Sequence, residues 1–307
     1  MARTALFSQH QPGGMYTISD IETHPGSIFF VNSATGSNSV SGGGNPDAPL
    51  ATLDYAIGLC TASKGDVIYL MPGHAENLTA ADSVDADVAG IKIIGLGWGT
   101  LKPTFSTTAA AGSFKVDAAN IVVKNIRLVA NFATGTTAAM TLTALATDLL
   151  VEACDFRDTS AANEFLLHVT IPTAVGPCTF RGCTFVTAAG SMTNSFLFAG
   201  TSTSFTIEDC YFYVDSADSV IDHAAGASTN LRVNRCTVIN IDTGAAGYCI
   251  ENKSDGTGVV SDCRLAYNKV DAEVGVGAAT WWFETYATNT IGTSSGVLDP
   301  AAGAAIP

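Results

Sequence analysis

The chain has 307 residues, of which 47% are apolar, so it can bury a core of its own. Only 14% of the residues are charged, the formal net charge is −14, and the 14 Lys and Arg are scattered, which argues against a nucleic-acid partner. No apolar run reaches membrane-spanning length and the first residues lack the basic-then-apolar order of a secretory signal, so we expect no membrane partner.

The first 28 residues carry no repeat and little apolar periodicity. Within them lies a polar stretch rich in glycine and proline, from Gln9 to Gly14. We therefore predict an extended N-terminal arm over residues 1–28. A first strand is predicted at Ile28 to Val31, and a loop rich in Gly, Ser and Asn follows it from Ala34 to Asn45.

One amphipathic helix is predicted near residues 50–62. Its apolar face is formed by residues at positions i, i+3, i+4 and i+7, which are Leu53, Ala56, Ile57 and Cys60. Gly65 follows as a stop signal. A lone helix ahead of a repeat structure is suited to cap the open end, where strand edges are otherwise exposed.

A repeat of about 27 residues dominates the second half of the chain. Its marker is a cysteine that recurs after 29, 27, 26 and 27 residues, at Cys154, Cys183, Cys210, Cys236 and Cys263. Apolar residues stand five and three positions before each cysteine and two positions after it, except that Gly258 replaces the first of them in the last row. Two upstream rows have Ile126 and Leu96 at the cysteine position, so seven rows are visible.

Within each row the apolar residues alternate as in a strand, but the alternation slips by one residue just before the cysteine position. Such a slip predicts two short strands that meet at a corner. A third apolar stretch in each repeat adds a third strand, so we predict an all-β solenoid, a parallel β-helix over residues 29–270. Coils stacked at about 4.8 Å give a rod about 40 Å long. Residues 271–307 are predicted to be a C-terminal cap and tail.

The eight cysteines raise the questions of disulfides and of a metal. Side chains stacked in one column of parallel strands lie about 4.8 Å apart, wider than the ~3.8 Å between Cβ atoms that a disulfide prefers. We therefore predict buried, reduced thiols that act as small apolar residues. Zinc would need CxxC-like pairs with histidine partners, whereas Cys178 and Cys183 are five residues apart and both directed inward, so no cofactor is expected.

Two segments around the predicted helix carry a specific resemblance. They run from Asn45 to Leu53 (NPDAPLATL) and from Gly65 to His74 (GDVIYLMPGH). Together with the rows that follow, they resemble the first module and the coils of the pectate-lyase-like right-handed parallel β-helix superfamily, over roughly residues 28–270. The resemblance implies a right-handed solenoid with an N-terminal capping helix. Such modules occur in polysaccharide lyases and hydrolases, in tail spikes and in other virion proteins of tailed bacteriophages, so the fold alone does not decide the function.

The candidate catalytic residues lie in the outward column two positions before the cysteine. That column reads Ile94, Lys124, Glu152, Arg181, Glu208, Asn234 and Ser261. Glu152 and Glu208 would lie two coils apart, about 9.6 Å, near the upper limit for the carboxyl groups of an inverting glycosidase. Arg181 stands between them, and such alternation is what charge pairing between adjacent coils produces on a solvated face. We favour a structural charge ladder and keep the catalytic pair as the alternative.

A short acidic loop is formed by Asp82, Asp85 and Asp87. Carboxylate oxygens of this kind suit calcium. The loop lacks the glycine and the terminal glutamate of an EF-hand, so ordinary solvation is favoured over a calcium site.

Two further groups have both a functional and a structural interpretation. Asp222 and His223 adjoin each other and His168 falls near the same column, but adjacent strand residues point to opposite faces, which argues against an acid–base pair. Trp281 and Trp282 suit either a sugar platform or a cap over the last coil, and the cap is favoured. The paired aspartates and Gly-His-Gly element of polygalacturonase-like enzymes are not found.

From these observations and the resemblance we expect a non-enzymatic virion structural protein, a phage capsid decoration, cement or head-projection protein anchored by its terminal arms. Its partners would be the major capsid protein or other virion subunits, its oligomeric state a homo-oligomer with a trimer favoured, and its location the virion, assembled in the host cytoplasm. The alternative is a tail spike or receptor-binding protein that grips or cleaves host polysaccharide by hydrolysis or elimination.

Overall fold

Between its two ends, each coil of the chain contributes one strand to each of three sheets, so the chain winds into a solenoid with about 27 residues per turn. The computed structural model describes residues 26–188, 190, 192–223, 228–243, 248–252 and 256–267. Beyond residue 267 it describes only the backbone of strands at 274–276, 279–283, 285–289 and 296–298. Nearly all regular structure in these residues is strand. The predicted all-β parallel β-helix is confirmed.

The strands are numbered β1 to β30 along the chain. The first sheet contains β1 (Ile28–Val31), β2 (Val67–Leu70), β5 (Lys92–Gly95), β8 (Val122–Lys124), β11 (Leu149–Glu152), β14 (Cys178–Arg181), β18 (Phe205–Glu208), β22 (Leu231–Asn234), β25 (Thr257–Ser261) and β28 (Ala279–Phe283). The second contains β3 (Ala75–Leu78), β6 (Thr104–Thr107), β9 (Arg127–Ala130), β12 (Asp155–Asp158), β15 (Thr184–Val186), β19 (Tyr211–Val214), β23 (Thr237–Asn240), β26 (Arg264–Tyr267), β29 (Thr285–Asn289) and β30 (Gly296–Leu298).

The third sheet contains β4 (Val84–Ala86), β7 (Phe114–Val116), β10 (Met140–Leu142), β13 (Leu167–Ile171), β16 (Asn194–Phe198), β20 (Ile221–His223), β24 (Ile250–Asn252) and β27 (Val274–Val276). A small ladder joins β17 (Ser202–Thr203) to β21 (Ser228–Thr229). In the described part of the chain these strands pair in parallel, apart from β29 with β30.

The apolar rows of the repeat stack on one another inside the solenoid. Phe156, Phe185 and Phe212 are in register on consecutive strands of the second sheet, and all three are fully buried. Their rings stack with centroids 4.6 Å apart in both pairs and planes 16° and 5° apart. Burying each such ring stabilises the fold by roughly 1.5–3 kcal/mol. A slip of one residue would turn the whole row outward, so this stacking fixes the register.

The predicted phase slip is a corner made by a single residue. The residue before the cysteine position has a positive φ of 51–60° in six consecutive coils, at Asn125, Ala153, Gly182, Asp209, Arg235 and Asp262. One left-handed residue turns the chain from the first sheet into the second without a longer loop. Only glycine adopts this conformation without a penalty from its side chain.

The five cysteines directly after these corners form a buried column. Each Sγ lies 3.5–3.7 Å from a carbonyl oxygen of the preceding coil, those of Val123, Val151, Phe180, Ile207 and Val233. Each Sγ also lies 3.2–3.5 Å from the carbonyl oxygen two residues before it. Burial raises the pKa of the Cys154 and Cys183 thiols well above its usual range, so both remain protonated donors. The inward position of the column is confirmed.

The N-terminal helix α1 spans Leu53–Leu59 and is shorter than the predicted 50–62. Its buried residues Leu53, Ala56 and Ile57 belong to the main core, as predicted. The chain leaves the helix at Cys60 because the buried Asp66 carboxylate accepts a hydrogen bond from Thr61 N at 2.7 Å. In the described residues no helix is long and apolar enough to cross a membrane.

The solenoid begins at the predicted first strand and extends past the predicted C-terminal boundary. Strand β1 begins at Ile28, and Ser27 N already donates to Asp66 Oδ1. The rest of the predicted arm, residues 1–25, lies outside the described residues. At the other end β27, β28 and β29 continue all three sheets past residue 270. The sequence signal fades there because the register places Thr285, not cysteine, at the marker position.

The cysteine column allows a test of the inward assignment. We expect Cys210→Val to change the free energy of unfolding by less than about 1.5 kcal/mol, because valine has a similar volume. Cys210→Asp places a charge among buried rows and should cost about 3 kcal/mol or more. Urea unfolding of both variants measures the difference, and equal tolerance of the two would contradict the inward position.

The corners supply a matched pair of variants in adjacent coils. Ala153→Gly removes a Cβ from a left-handed residue and should stabilise the protein by about 1 kcal/mol, net of the entropy that glycine adds to the unfolded chain. Gly182→Ala should destabilise by a similar amount, since a Cβ there meets no atom within 4 Å and the cost is confined to the backbone. Changes of the same sign in thermal or urea unfolding would contradict this account.

Candidate functional site

The outward column two positions before the cysteine carries the candidate catalytic residues. In each strand the next residue toward the N-terminus is buried, as Phe180 is before Arg181, so alternation directs the column outward. Glu152, Arg181 and Glu208 are in register on the adjacent strands β11, β14 and β18. The fold therefore brings the three predicted residues together on one face.

Each carboxylate of the candidate pair contacts a cation. Lys124 Nζ lies 3.2 Å from Glu152 Oε2, and Arg181 Nε lies 2.6 Å from Glu208 Oε1. The other oxygen of Glu208 lies 3.5 Å from Arg235, which also contacts Asp209 at 2.6 Å. The predicted charge pairing between coils is confirmed. Partly exposed pairs of this kind contribute up to about 1 kcal/mol each.

A cation lies between the two glutamates, and it decides whether they can act as a catalytic pair. Their strands are two coils apart, about 9.6 Å. An inverting glycosidase keeps such a gap for the attacking water. Here the intervening strand carries Arg181, whose guanidinium donates to Glu208. The arrangement suits ion pairing along the rod better than an acid and a base on opposite sides of a sugar.

Two aspartates of the acidic loop proposed as an alternative calcium site contact a lysine, and the third, Asp87, is exposed. Lys115 Nζ lies 3.7 Å from Asp82, 3.1 Å from Asp85 and 2.9 Å from Asp117. Burial raises the pKa of Asp85, Lys115 opposes the rise, and the carboxylate of Asp87 adds to it. Within the described residues no group of three or more His, Cys, Asp or Glu is arranged to hold a metal ion.

His168 lies inside the core. Its ring packs 5.3–6.0 Å from the rings of Phe156, Phe165 and Phe185, and its Nδ1 lies 3.1 Å from Ser195 Oγ. Nε2 has no hydrogen-bond partner. Burial lowers the pKa of His168 to about 3, so the ring is neutral at physiological pH. It is a core residue rather than a base at the surface.

Asp222 and His223 point to opposite faces of β20, as predicted. His223 is fully buried, stacks on Phe198 with centroids 4.0 Å apart, and its Nε2 lies 2.7 Å from Ser202 Oγ. Asp222 takes part in a different contact, accepting from Asn194 Nδ2 at 3.3 Å. The two side chains do not form an acid–base pair.

The outward column of the third sheet brings together Asp222 and a carboxylate that the sequence analysis did not consider, Glu251. Asp222 and Glu251 are in register on the adjacent strands β20 and β24. Ser219 Oγ donates to Glu251 Oε2, and Asn194 Nδ2 donates to both Asp222 and Ser219 O. Carboxyl groups on adjacent coils, about 4.8 Å apart at the backbone, are close enough to share a ligand. The sequence does contain the sign of this pair, since both carboxylates occupy the same outward column of the third strand of the repeat.

A further carboxyl group that the sequence analysis did not single out is Asp158, at the end of β12. Its Oδ1 accepts from Phe165 N at 3.0 Å, while Oδ2 is buried without a hydrogen-bond partner. Burial, with a further contribution from the nearby Glu164 carboxylate, raises the pKa of Asp158 to about 7. Nothing in the local sequence marks it, because its environment is built by the loop that follows and by the next coil.

The outer face of the second sheet presents two exposed tyrosines. Tyr211 and Tyr213 lie on β19 with 41% and 40% of their surfaces exposed. Val186 and Ile239 flank Tyr213 on the neighbouring strands. The side chains of Trp281 and Trp282, the predicted aromatic platform or cap, lie outside the described residues, although their backbone forms β28 and pairs with β25.

Three parallel sheets joined by one-residue corners define a parallel β-helix, and the solved structures that follow share this fold. The fold implied by the sequence resemblance is confirmed.

Solved structures of the same fold include several enzymes. The chain is similar to a rhamnogalacturonan lyase, with a TM-score of 0.57 at 13% identity over 85% of this chain and 74% of that one. It is similar to the pectin methylesterase of Aspergillus niger, with a TM-score of 0.51 at 13% identity over 89% and 93%. It is also similar to a pectate lyase from Bacillus sp. N165, with a TM-score of 0.50 at 12% identity over 91% and 89%.

A further structure, ORF18 of Geobacillus virus E2, has a TM-score of 0.43 at 12% identity over 77% of this chain and 56% of that one, too low to support an argument. No protein-family model matches the sequence, and no curated protein matches it either. At 12–13% identity, the structural likeness to the enzymes shows the fold alone, and the function must be argued from the residues of this chain.

The buried histidine predicts a pH dependence of stability. The unfolded state takes up a proton on His168 below about pH 6.5, but the folded state does so only near pH 3. Stability is therefore lost as the pH falls from about 6.5 toward 3, by up to about 1.4 kcal/mol per pH unit. Asp158 acts in the opposite direction. Its carboxyl group holds a proton in the folded state up to about pH 7 but releases it at lower pH in the unfolded state, so its contribution to stability is lost as the pH rises through about 7.

The variant His168→Leu separates the two contributions. Its free energy of unfolding relative to the wild type should rise steadily as the pH is lowered from 6.5 to 4, because only the wild type must bury a group that the unfolded chain protonates. Urea unfolding at pH 7, 6, 5 and 4 measures this difference. Parallel pH profiles for the two proteins would contradict the account of His168.

Proposed function

We propose that this chain is a non-enzymatic structural protein of a phage virion, a capsid decoration, cement or head-projection protein. The observation that carries the proposal is the charge ladder on the first sheet, where the candidate catalytic carboxylates Glu152 and Glu208 are engaged by Lys124, Arg181 and Arg235. Ion pairs between adjacent coils stiffen the rod and hold the coils in register.

The rest of the rod supports a mechanical role. Ten strands of the first sheet, at about 4.8 Å per interval, make a body about 43 Å long with one continuous core. Between the two end coils, each coil is hydrogen-bonded to the next in three sheets, so load applied at one end is transmitted through the backbone. A rod of this kind suits a projection or a brace between subunits.

The partners follow from the same proposal. The rod would attach to the major capsid protein or other virion subunits through its terminal segments, and it would be assembled in the host cytoplasm. Self-association as a trimer would bring three rods side by side along their polar faces.

Electron cryomicroscopy and mass spectrometry of native virus particles from the source of this gene test the proposal. We expect a rod about 43 Å long, the length set by coil spacing, present in many copies on the capsid surface. Copies confined to the tail would favour the second candidate below, and absence of the protein from purified particles would overturn the virion assignment.

The second candidate is a tail spike or receptor-binding protein that grips or cleaves host polysaccharide. It is favoured by the exposed Tyr211 and Tyr213, since aromatic faces stack on sugars. Its candidate acids on the third sheet are the adjacent Asp222, which is 6% exposed, and Glu251. The enzymes of the same fold act on polysaccharides by their names, a rhamnogalacturonan lyase and a pectate lyase among them.

An assay of sugar release separates the two candidates. The purified protein is incubated with host capsule or lipopolysaccharide, and new reducing ends or unsaturated products are measured. The structural proposal expects none. If release is found, loss in Asp222→Asn and Glu251→Gln but not in Glu152→Gln and Glu208→Gln would place the reaction on the third sheet. The reverse pattern would place it on the charge ladder.

A further inference from the structure

The outer face of the first sheet changes character along the rod. One outward column runs Phe30, Tyr69, Ile94 and then Lys124, Glu152, Arg181 and Glu208, in register from β1 to β18. The first three coils present apolar side chains and the next four present charges. The inward residues of these strands, such as Val31 and Leu70, belong to the main core throughout.

The apolar part of this column belongs to a cluster of its own. We call it the N-terminal outer face, formed by Ile28, Phe30, Val67, Tyr69, Met71, Ile94 and Leu96. It is separate from the core inside the solenoid. The rings of Phe30 and Tyr69 stack with centroids 5.7 Å apart.

This face is buried although it points away from the core. Phe30 and Val67 are each 2% exposed and Tyr69 is 5% exposed. In the same sheet, Arg181 retains 46% of its side-chain surface and Val259 is 40% exposed. An outward side chain of a sheet becomes buried only when another part of the protein lies over it. The N-terminal outer face is therefore covered, and the charged coils beyond it are not.

The loop between β1 and α1 is engaged elsewhere. Phe30 N donates to Gly43 O at 2.7 Å, and Leu50 N donates to Phe30 O at 2.8 Å. Leu50 also forms a parallel bridge with Val31. These backbone contacts lie along the free edge of β1 and within the plane of the sheet, so the loop extends the sheet rather than covering its outer face.

We propose that residues 1–25 of the same chain dock on the N-terminal outer face. They directly precede Gly26 and Ser27, which lead into β1 at the edge of this face. They contain the apolar residues Phe7, Met15, Tyr16, Ile18 and Ile21. Tyr16 and Ile18 are spaced by two, as in a strand with one apolar side. Twenty-five residues reach up to about 80 Å when extended, whereas three coils span about 10 Å, so length sets no limit.

Docking of this segment explains why the sequence can place Phe30 and Tyr69 outward without exposing an apolar patch. In the proposed function, the parts left to contact other virion subunits are then the residues after β30 and the outer side of the docked segment. The inference itself concerns the isolated protein and does not depend on the virion assignment.

Methionine oxidation tests the proposal with an internal control. Met71 is half-buried at the rim of the N-terminal outer face, whereas Met140 is fully buried in the main core. The full chain and a protein lacking residues 1–25 are treated with peroxide, and the sulfoxide at each methionine is followed by mass spectrometry. We expect Met71 to oxidise about fivefold or more faster in the shortened protein, and Met140 to stay slow in both.

The outcomes separate docking from loss of the fold. Equal rates at Met71 in the two proteins, with Met140 protected, would overturn the proposal. If Met140 also reacts quickly, the shortened protein has unfolded, and the full-length variant Tyr16→Ser, Ile18→Ser is measured in its place with the same expectation. A second copy as the occupant predicts that protection of Met71 in the full chain is lost on dilution. Protection that is independent of concentration supports the chain's own segment.

Discussion

The structure depends on one constraint, that each coil must stack in register on the coil before it. Parallel pairing in three sheets places equivalent residues of successive coils directly above one another, so each position of the repeat becomes a column. The stacked rings of Phe156, Phe185 and Phe212 form one such column inside, and the cysteine thiols bound to carbonyl oxygens of the preceding coil form another. Lys124 to Glu208 is the corresponding column outside. A substitution that disturbs the packing of one coil therefore also disturbs the coils directly before and after it.

Much of the fold could be predicted from the sequence because coils that stack in register need apolar residues at the same positions of each repeat. The corner was visible as a slip of phase, and the structure places a left-handed residue such as Ala153 or Arg235 at that point. Boundaries were harder, because they depend on contacts distant in sequence. The helix ends early where the carboxylate of Asp66 binds Thr61 N, and the last coils lack the cysteine that marked the others.

Of the candidate site, the part on the first sheet could be predicted from the sequence, and the part on the third sheet could not. The ladder of Glu152, Arg181 and Glu208 could be predicted because each strand of the first sheet ends directly before a corner, at a fixed distance from the cysteine that marks the repeat. In the third sheet loops of varying length precede each strand, and the alternation is irregular. In β13 the successive residues His168 and Val169 are both buried. Pairing of Asp222 with Glu251 therefore became apparent only from the observed register.

The constant rise of the coil has a consequence for how such a protein changes over generations. Each repeat of about 27 residues adds about 4.8 Å and contacts only the repeats on either side, so duplicating or losing one leaves the remaining coils and both termini intact. The length of the rod can therefore change only in steps of one coil. Recombination within the gene can lengthen or shorten the distance between the two ends by one such step, without the need for a new interface between coils.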